Sequence, residues 1–125
     1  MIAPQAIRPR TTSWAEFDTM GTSRIEIFKQ ILESDPANTA VLFGLAKEYE
    51  KAEQQEDLIE TLNRYLASAD DEGNAYGMLA RAYEKLGKRN EARAAYERGI
   101  AAASSHGHPG MAEDYRMTLA SEYED

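Results

Sequence analysis

Residues 73–103 read GNAYGMLARAYEKLGKRNEARAAYERGIAAA, and the reading of this stretch decides the fold. Tyr76, Leu79, Ala80 and Tyr83 recur at i, i+3, i+4 and i+7, which places them on one face of an α-helix. Gly87 then supplies a stop, because glycine turns left-handed without a Cβ clash. A second helical stripe carries Ala92, Ala95, Tyr96, Gly99 and Ile100. Small residues sit where two helix backbones must approach closely, and tyrosines fill the space beside them. Neither helix can bury its face alone, so the pair reads as one unit of a stack.

The pattern recurs at a spacing of 34 residues. One step back, Tyr76, Leu79, Ala80 and Tyr83 are matched by Leu42, Leu45, Ala46 and Tyr49. In the second helix Ala92, Tyr96, Gly99 and Ile100 are matched by Leu58, Leu62, Tyr65 and Leu66. A further step back brings Phe28, Ile31 and Leu32 under Tyr96, Gly99 and Ile100, with Pro36 under Ser104. Aromatic-x2-Leu-small-x2-Tyr followed by small-x3-aromatic, at this period, resembles the tetratricopeptide repeat. The chain departs from that pattern in places. Leu42 and Tyr76 stand where the family usually has Trp, Leu58 and Arg24 replace its small Ala, and only the first unit ends in Pro. The resemblance covers about residues 23–104. It implies an all-α, antiparallel helix-pair solenoid, a right-handed superhelix of about two and a half repeats plus a C-terminal capping helix.

Taken in order, residues 1–22 form an N-terminal arm unlike the rest. Pro4, Pro9 and the run Arg8-Pro9-Arg10-Thr11-Thr12-Ser13 oppose regular structure. Ser13 with Glu16 three residues on has the form of a capping box opening a short helix at 13–20 through Trp14, Phe17 and Met20. One reading folds this patch back over the first helix of the stack; another makes it a linear ligand or an appended segment ending before Met20-Gly21. Arg8-x-Arg10-x-x-Ser13 also has the form of a basophilic kinase site, a regulatory reading. The repeat array is expected at 23–104: a half unit at 23–36, whose helix carries Ile27, Phe28, Ile31 and Leu32, then units at 39–70 and 73–104. Asn38 caps the helix about 39–52, residues 53–56 form the turn, and a helix about 57–68 follows. The Asp70-Asp71-Glu72-Gly73 break puts acid at the N-terminus of the next helix, where the dipole favours it. After the loop Ser104–Gly110, Met111, Ala112, Tyr115, Leu119 and Tyr123 recur at helical spacing in a capping helix at 109–123.

Composition narrows the function classes. There is no Cys, which excludes disulfides, thiolate chemistry and Cys-based zinc sites. No apolar run is long enough to span a bilayer, and the first residues lack a secretory apolar core, so a soluble cytoplasmic protein is expected. The net charge of −8 disfavours nucleic acid, which is bound by neutralising phosphates, and anionic membranes. His106 and His108 read as an exposed Gly/Pro loop, since a metal would need further ligands. No phosphate-binding glycine loop or dinucleotide fingerprint occurs, and Ser105 beside His106 does not make a catalytic pair. No catalytic residue, metal ligand or cofactor site is expected; the chain reads as no enzyme.

What remains is a binding surface. In the family the first helices of successive units line the concave face. The residues that should point there are Ala40, Phe43, Lys47 and Glu50, and 34 positions later Asn74, Gly77, Arg81 and Glu84. Lys47 and Arg81 would form a short basic rung, and Phe43 opposite Gly77 would leave an apolar notch beside it. Such a groove suits an extended peptide with a carboxylate or acidic side chain. Against this, Lys47 with Glu50, or Lys51 with Glu48, would be ordinary surface pairs. Some family members clamp the C-terminal carboxylate of chaperone tails with a paired Lys/Asn arrangement; here Gly44 and Met78 stand where such residues would be wanted. The resulting expectation is a non-catalytic scaffold that binds a protein or peptide segment. The alternative is a self-associating module that stacks into a homo-oligomer.

Overall fold

The computed structural model describes residues 20–124, with side chains from residue 24 onward. The expected arm, its helix at 13–20 apart from Met20, and the kinase-type pattern lie outside the described residues. Six helices follow one another: α1 (Met20–Ser34), α2 (Thr39–Lys51), α3 (Gln55–Ser68), α4 (Asn74–Lys85), α5 (Arg89–Ser105) and α6 (Pro109–Glu122). Among the described residues there is no strand. Each helix packs on its neighbours in chain order. The described residues thus form an all-α solenoid of antiparallel helix pairs, α2 with α3 and α4 with α5, preceded by the second-type helix α1 and followed by α6.

The turns explain why the pairs recur. Glu53, Gly87 and Gly107 all have positive φ, at 58°, 73° and 78°. At each, the amide of the following residue donates five residues back: Gln54 to the Tyr49 carbonyl at 3.0 Å, Lys88 to Tyr83 at 2.9 Å and His108 to Ala103 at 2.8 Å. Glu53, Gly87 and Gly107 themselves donate three residues back, to Glu50, Glu84 and Ser104. This double bond satisfies carbonyls that a helix end leaves open and fixes the chain reversal. The left-handed residue at Glu53 confines the turn to fewer residues than 53–56, so α3 starts at Gln55 and takes Glu56 and Asp57 into its first turn.

Side chains hold the starts of α2 and α4. Asn38 accepts the Val41 amide at 3.1 Å. Asp71 accepts from the Gly73 and Ala75 amides at 2.8 and 2.9 Å and from the Tyr65 hydroxyl at 3.1 Å. One carboxylate therefore caps α4 and ties it to α3.

The stripes that repeat in the sequence form the core. Leu42, Leu45, Ala46 and Tyr49 of α2 are buried with Leu58 and Leu62 of α3. Leu79 and Ala80 of α4 are buried with Ala92, Ala95 and Tyr96 of α5. From α1, Ile25 and Leu32 are buried, and Phe28 lies over Gly44. Glu48 of α2 is buried but compensated by Arg24 of α1 at 3.4 Å and Lys51 at 3.3 Å.

Candidate functional site: the inner faces of α2 and α4

The eight residues assigned to the groove do not share one environment. Ala40 and Lys47 are exposed on α2, Phe43 is half-buried, and Glu50 is half-exposed. Phe43 packs on Tyr65 of α3 with ring centroids 5.3 Å apart, so only part of the ring is presented outward. Lys47 Nζ lies 3.2 Å from Glu50 Oε1, the local pair that the spacing suggested. On α4, Asn74 and Arg81 are exposed.

Two of the eight require correction. Gly77 opens no notch. It is buried, and a Cβ there would stand 2.4 Å from the Tyr115 hydroxyl and 2.9 Å from its ring. Tyr115 of α6 occupies that space and also fills the hollow at Gly99, while its hydroxyl donates to the Gly73 carbonyl at 2.9 Å. Burial raises the pKa of this hydroxyl, opposed by the charge of nearby Arg81. The sequence placed Tyr115 on an apolar stripe, but a 34-residue register could not show that it reaches an earlier unit's glycines.

Glu84 does not pair with Arg81. Its Oε2 accepts from the Tyr96 hydroxyl at 3.1 Å and the Tyr123 hydroxyl at 2.7 Å. Burial, then the bond to Glu84, pushes Tyr123 up to about 12. Arg93 donates to the Tyr123 carbonyl at 2.6 Å, and Arg89 lies 4.6 Å over the Tyr123 ring. Glu84 thus anchors the C-terminal end of the chain, beside a cleft of about 320 Å³ that it lines with Gly87, Arg89, Glu122 and Tyr123. Arg81 forms no ion pair among the described residues, and Glu84, three residues on, is engaged elsewhere.

Gly44 and Met78 are interior positions, Gly44 against the Phe28 ring and Met78 buried, so neither faces a ligand. The histidines are more engaged than a free loop. His106 Nε2 lies 3.1 Å from Asp70 and His108 Nε2 2.5 Å from Glu72, joining the α5–α6 loop to the α3–α4 loop. Among the described residues no three His, Asp or Glu side chains converge as a metal site. No helix among them is long and apolar enough to cross a membrane.

Residues 73–106, the α4–α5 unit, match the family model described as tetratricopeptide repeat. No curated protein matches the sequence. Among solved structures, one described as the crystal structure of MamA protein superposes with a TM-score of 0.64 at 22% identity, over 84% of this chain and 66% of that one. A second, described as the crystal structure of MamA, gives 0.62 at 22% identity over 94% and 77%. At this identity the likeness is one of fold, and the chain spans just under two thirds of the first neighbour. Residues 73–106 are thus matched as one tetratricopeptide repeat, and the recurring helix pairs give the described residues the fold of such a solenoid. Repeats of this family build protein-interaction scaffolds, typically without catalysis.

Proposed function

We propose that the chain binds an extended, acidic protein segment along the inner faces of α2 and α4, with Lys47 and Arg81 meeting its carboxylates. The observation that carries this reading is that Arg81 forms no ion pair among the described residues. Its repeat equivalent Lys47 spends charge on Glu50, whereas the acid nearest Arg81 in sequence is committed to two tyrosine hydroxyls. A cation without a local partner on a rigid helix has more to gain from an incoming carboxylate. Phe43 and Ala40 on α2, with Asn74 on α4, offer apolar and hydrogen-bonding contacts around it.

Both cations are solvent-facing, so affinity should be modest and should weaken as salt rises. A labelled oligo-glutamate peptide, titrated at low and high salt beside an oligo-glutamine control, tests this. Lys47→Glu with Arg81→Glu should abolish glutamate binding and leave the helical signal and melting curve nearly intact. Unchanged affinity of the double variant at low salt would show that the rung is only solvated surface.

A further inference from the structure

The two ends of the solenoid are finished differently. On α6 the positions that face the following helix in a complete unit are Gly110, Glu113, Asp114 and Met117, in place of Tyr76, Leu79, Ala80 and Tyr83. All four are exposed, and only Met117 is apolar. That is the polar outer face of a terminal cap. At the other end α1 occupies the place of α3 and α5, but no first-type helix lies against it among the described residues. Ile27 is 53% exposed, whereas its equivalents Thr61 and Ala95 are 4% and 2% exposed beneath α2 and α4. Ile31, one turn on, is 37% exposed where Gly99 is buried. This end carries an apolar stripe and, among the described residues, no cap.

We propose that the chain's own N-terminal segment, residues 9–19, covers this stripe, with the Trp14 indole seated on Ile27. Continuity of the register places it there. In the α2–α3 pair Phe43 meets Tyr65 across the hairpin. The same antiparallel register one unit earlier sets residue 13 opposite Ile27 and residue 9 opposite Ile31. A helical side chain leans toward the turn before its own Cα, so Trp14 reaches the level of Ile27. The start of α1 at Met20 agrees with α3 and α5, whose starts at Gln55 and Arg89 correspond to Gly21. In sequence the segment departs from α2 and α4. The register positions that would build its Leu-Ala-Tyr stripe hold Thr11, Thr12 and Ala15, and Pro9 falls within it. Trp14 and Phe17 supply the apolar area instead, attached within a few residues of the face they cover, so the local concentration far exceeds that of a second chain.

Trp14 is the single tryptophan, so its emission reports on this one contact. In the full chain, at a concentration where sedimentation gives the mass of one chain, the emission should lie to the blue of free indole and resist acrylamide quenching. Ile27→Glu with Ile31→Glu should move the emission to the red and abolish the shielding. The helical signal should persist, because neither side chain belongs to the packed core. Emission like that of free indole in the unsubstituted chain would overturn the proposal. So would a shielded indole that the two substitutions leave unmoved. Shielding lost on dilution, as the mass falls from two chains to one, would also overturn it and assign the face to a second copy.

Discussion

Tyr115 and Gly77 fit each other as peg and socket: the hydroxyl stands where the glycine's Cβ would be, 2.4 Å away, and bonds the Gly73 carbonyl at 2.9 Å. The ring also lies 5.6 Å from that of Tyr96. Because the nearest atoms to Gly77 belong to a buried, hydrogen-bonded ring, Gly77→Ala forces the tyrosine out or α6 away. Overpacking of this kind costs about 1–3 kcal/mol. Tyr115→Phe keeps the ring and should cost only about 0.5–1.5 kcal/mol, the worth of one hydrogen bond. Denaturant melts of both variants check the order; equal losses would show that the bond, not the socket, holds α6.

Two positions of the α4 stripe should differ in weight. Leu79 is 1% exposed and Tyr83 only half-buried, its hydroxyl 3.5 Å from the Asn63 amide nitrogen of α3. Leu79→Ala should therefore destabilise by about 2–5 kcal/mol. Tyr83→Ala should cost less, since part of its ring already meets water. With so few units to share the loss, Leu79→Ala is expected to unfold much of the array at ordinary temperature, which a far-UV melt would record.

The fold was legible because it rests on local, periodic facts. The stripes Leu42-Leu45-Ala46-Tyr49 and Tyr76-Leu79-Ala80-Tyr83 name their helices and their buried faces, and 34-residue spacing names the stack. The site was less legible because it depends on contacts between units. Nothing in the spacing of Glu84 shows that Tyr96 and Tyr123, 12 and 39 residues away, take both of its hydrogen bonds. Nor does the sequence show which residue enters a glycine's hollow. The partners of the loop histidines were not legible for the same reason: they lie 36 residues earlier.

Glu53 offers a gain in stability. It holds φ at 58° where its repeat equivalent is Gly87 at 73°. A left-handed non-glycine residue bears roughly 1–2 kcal/mol of steric cost. Glycine relieves that cost but adds freedom to the unfolded chain, which offsets part of it. Glu53→Gly should raise stability by about 0.5–1 kcal/mol, and Gly87→Ala should lower it by a similar amount. Thermal melts in parallel decide it. A loss on Glu53→Gly would mean that the glutamate side chain contributes more than its backbone costs.

The contact between His106 and Asp70 should make stability depend on pH near neutrality. Nδ1 of His106 lies 2.9 Å from the Ala102 carbonyl and Nε2 lies 3.1 Å from Asp70. Both ring nitrogens face oxygen acceptors, and only the imidazolium can donate to both. The Ala102 carbonyl first, then Asp70, raise the pKa above the ordinary histidine value, with Glu72 adding charge from the same loop. Asp71 also lies in that loop, but its carboxylate is spent on Tyr65, Gly73 and Ala75. A raised folded-state pKa means that the folded chain binds a proton more readily than the unfolded one. The contribution is complete below the unfolded value of about 6.5 and is lost as pH rises through the folded one. The melting temperature should therefore fall between about pH 6 and pH 8. His106→Gln should flatten that fall, and Asp70→Asn should shrink it by removing one acceptor's charge while leaving the Ala102 bond. A melting temperature that falls equally in the unsubstituted chain and in His106→Gln would place the titration elsewhere in the molecule.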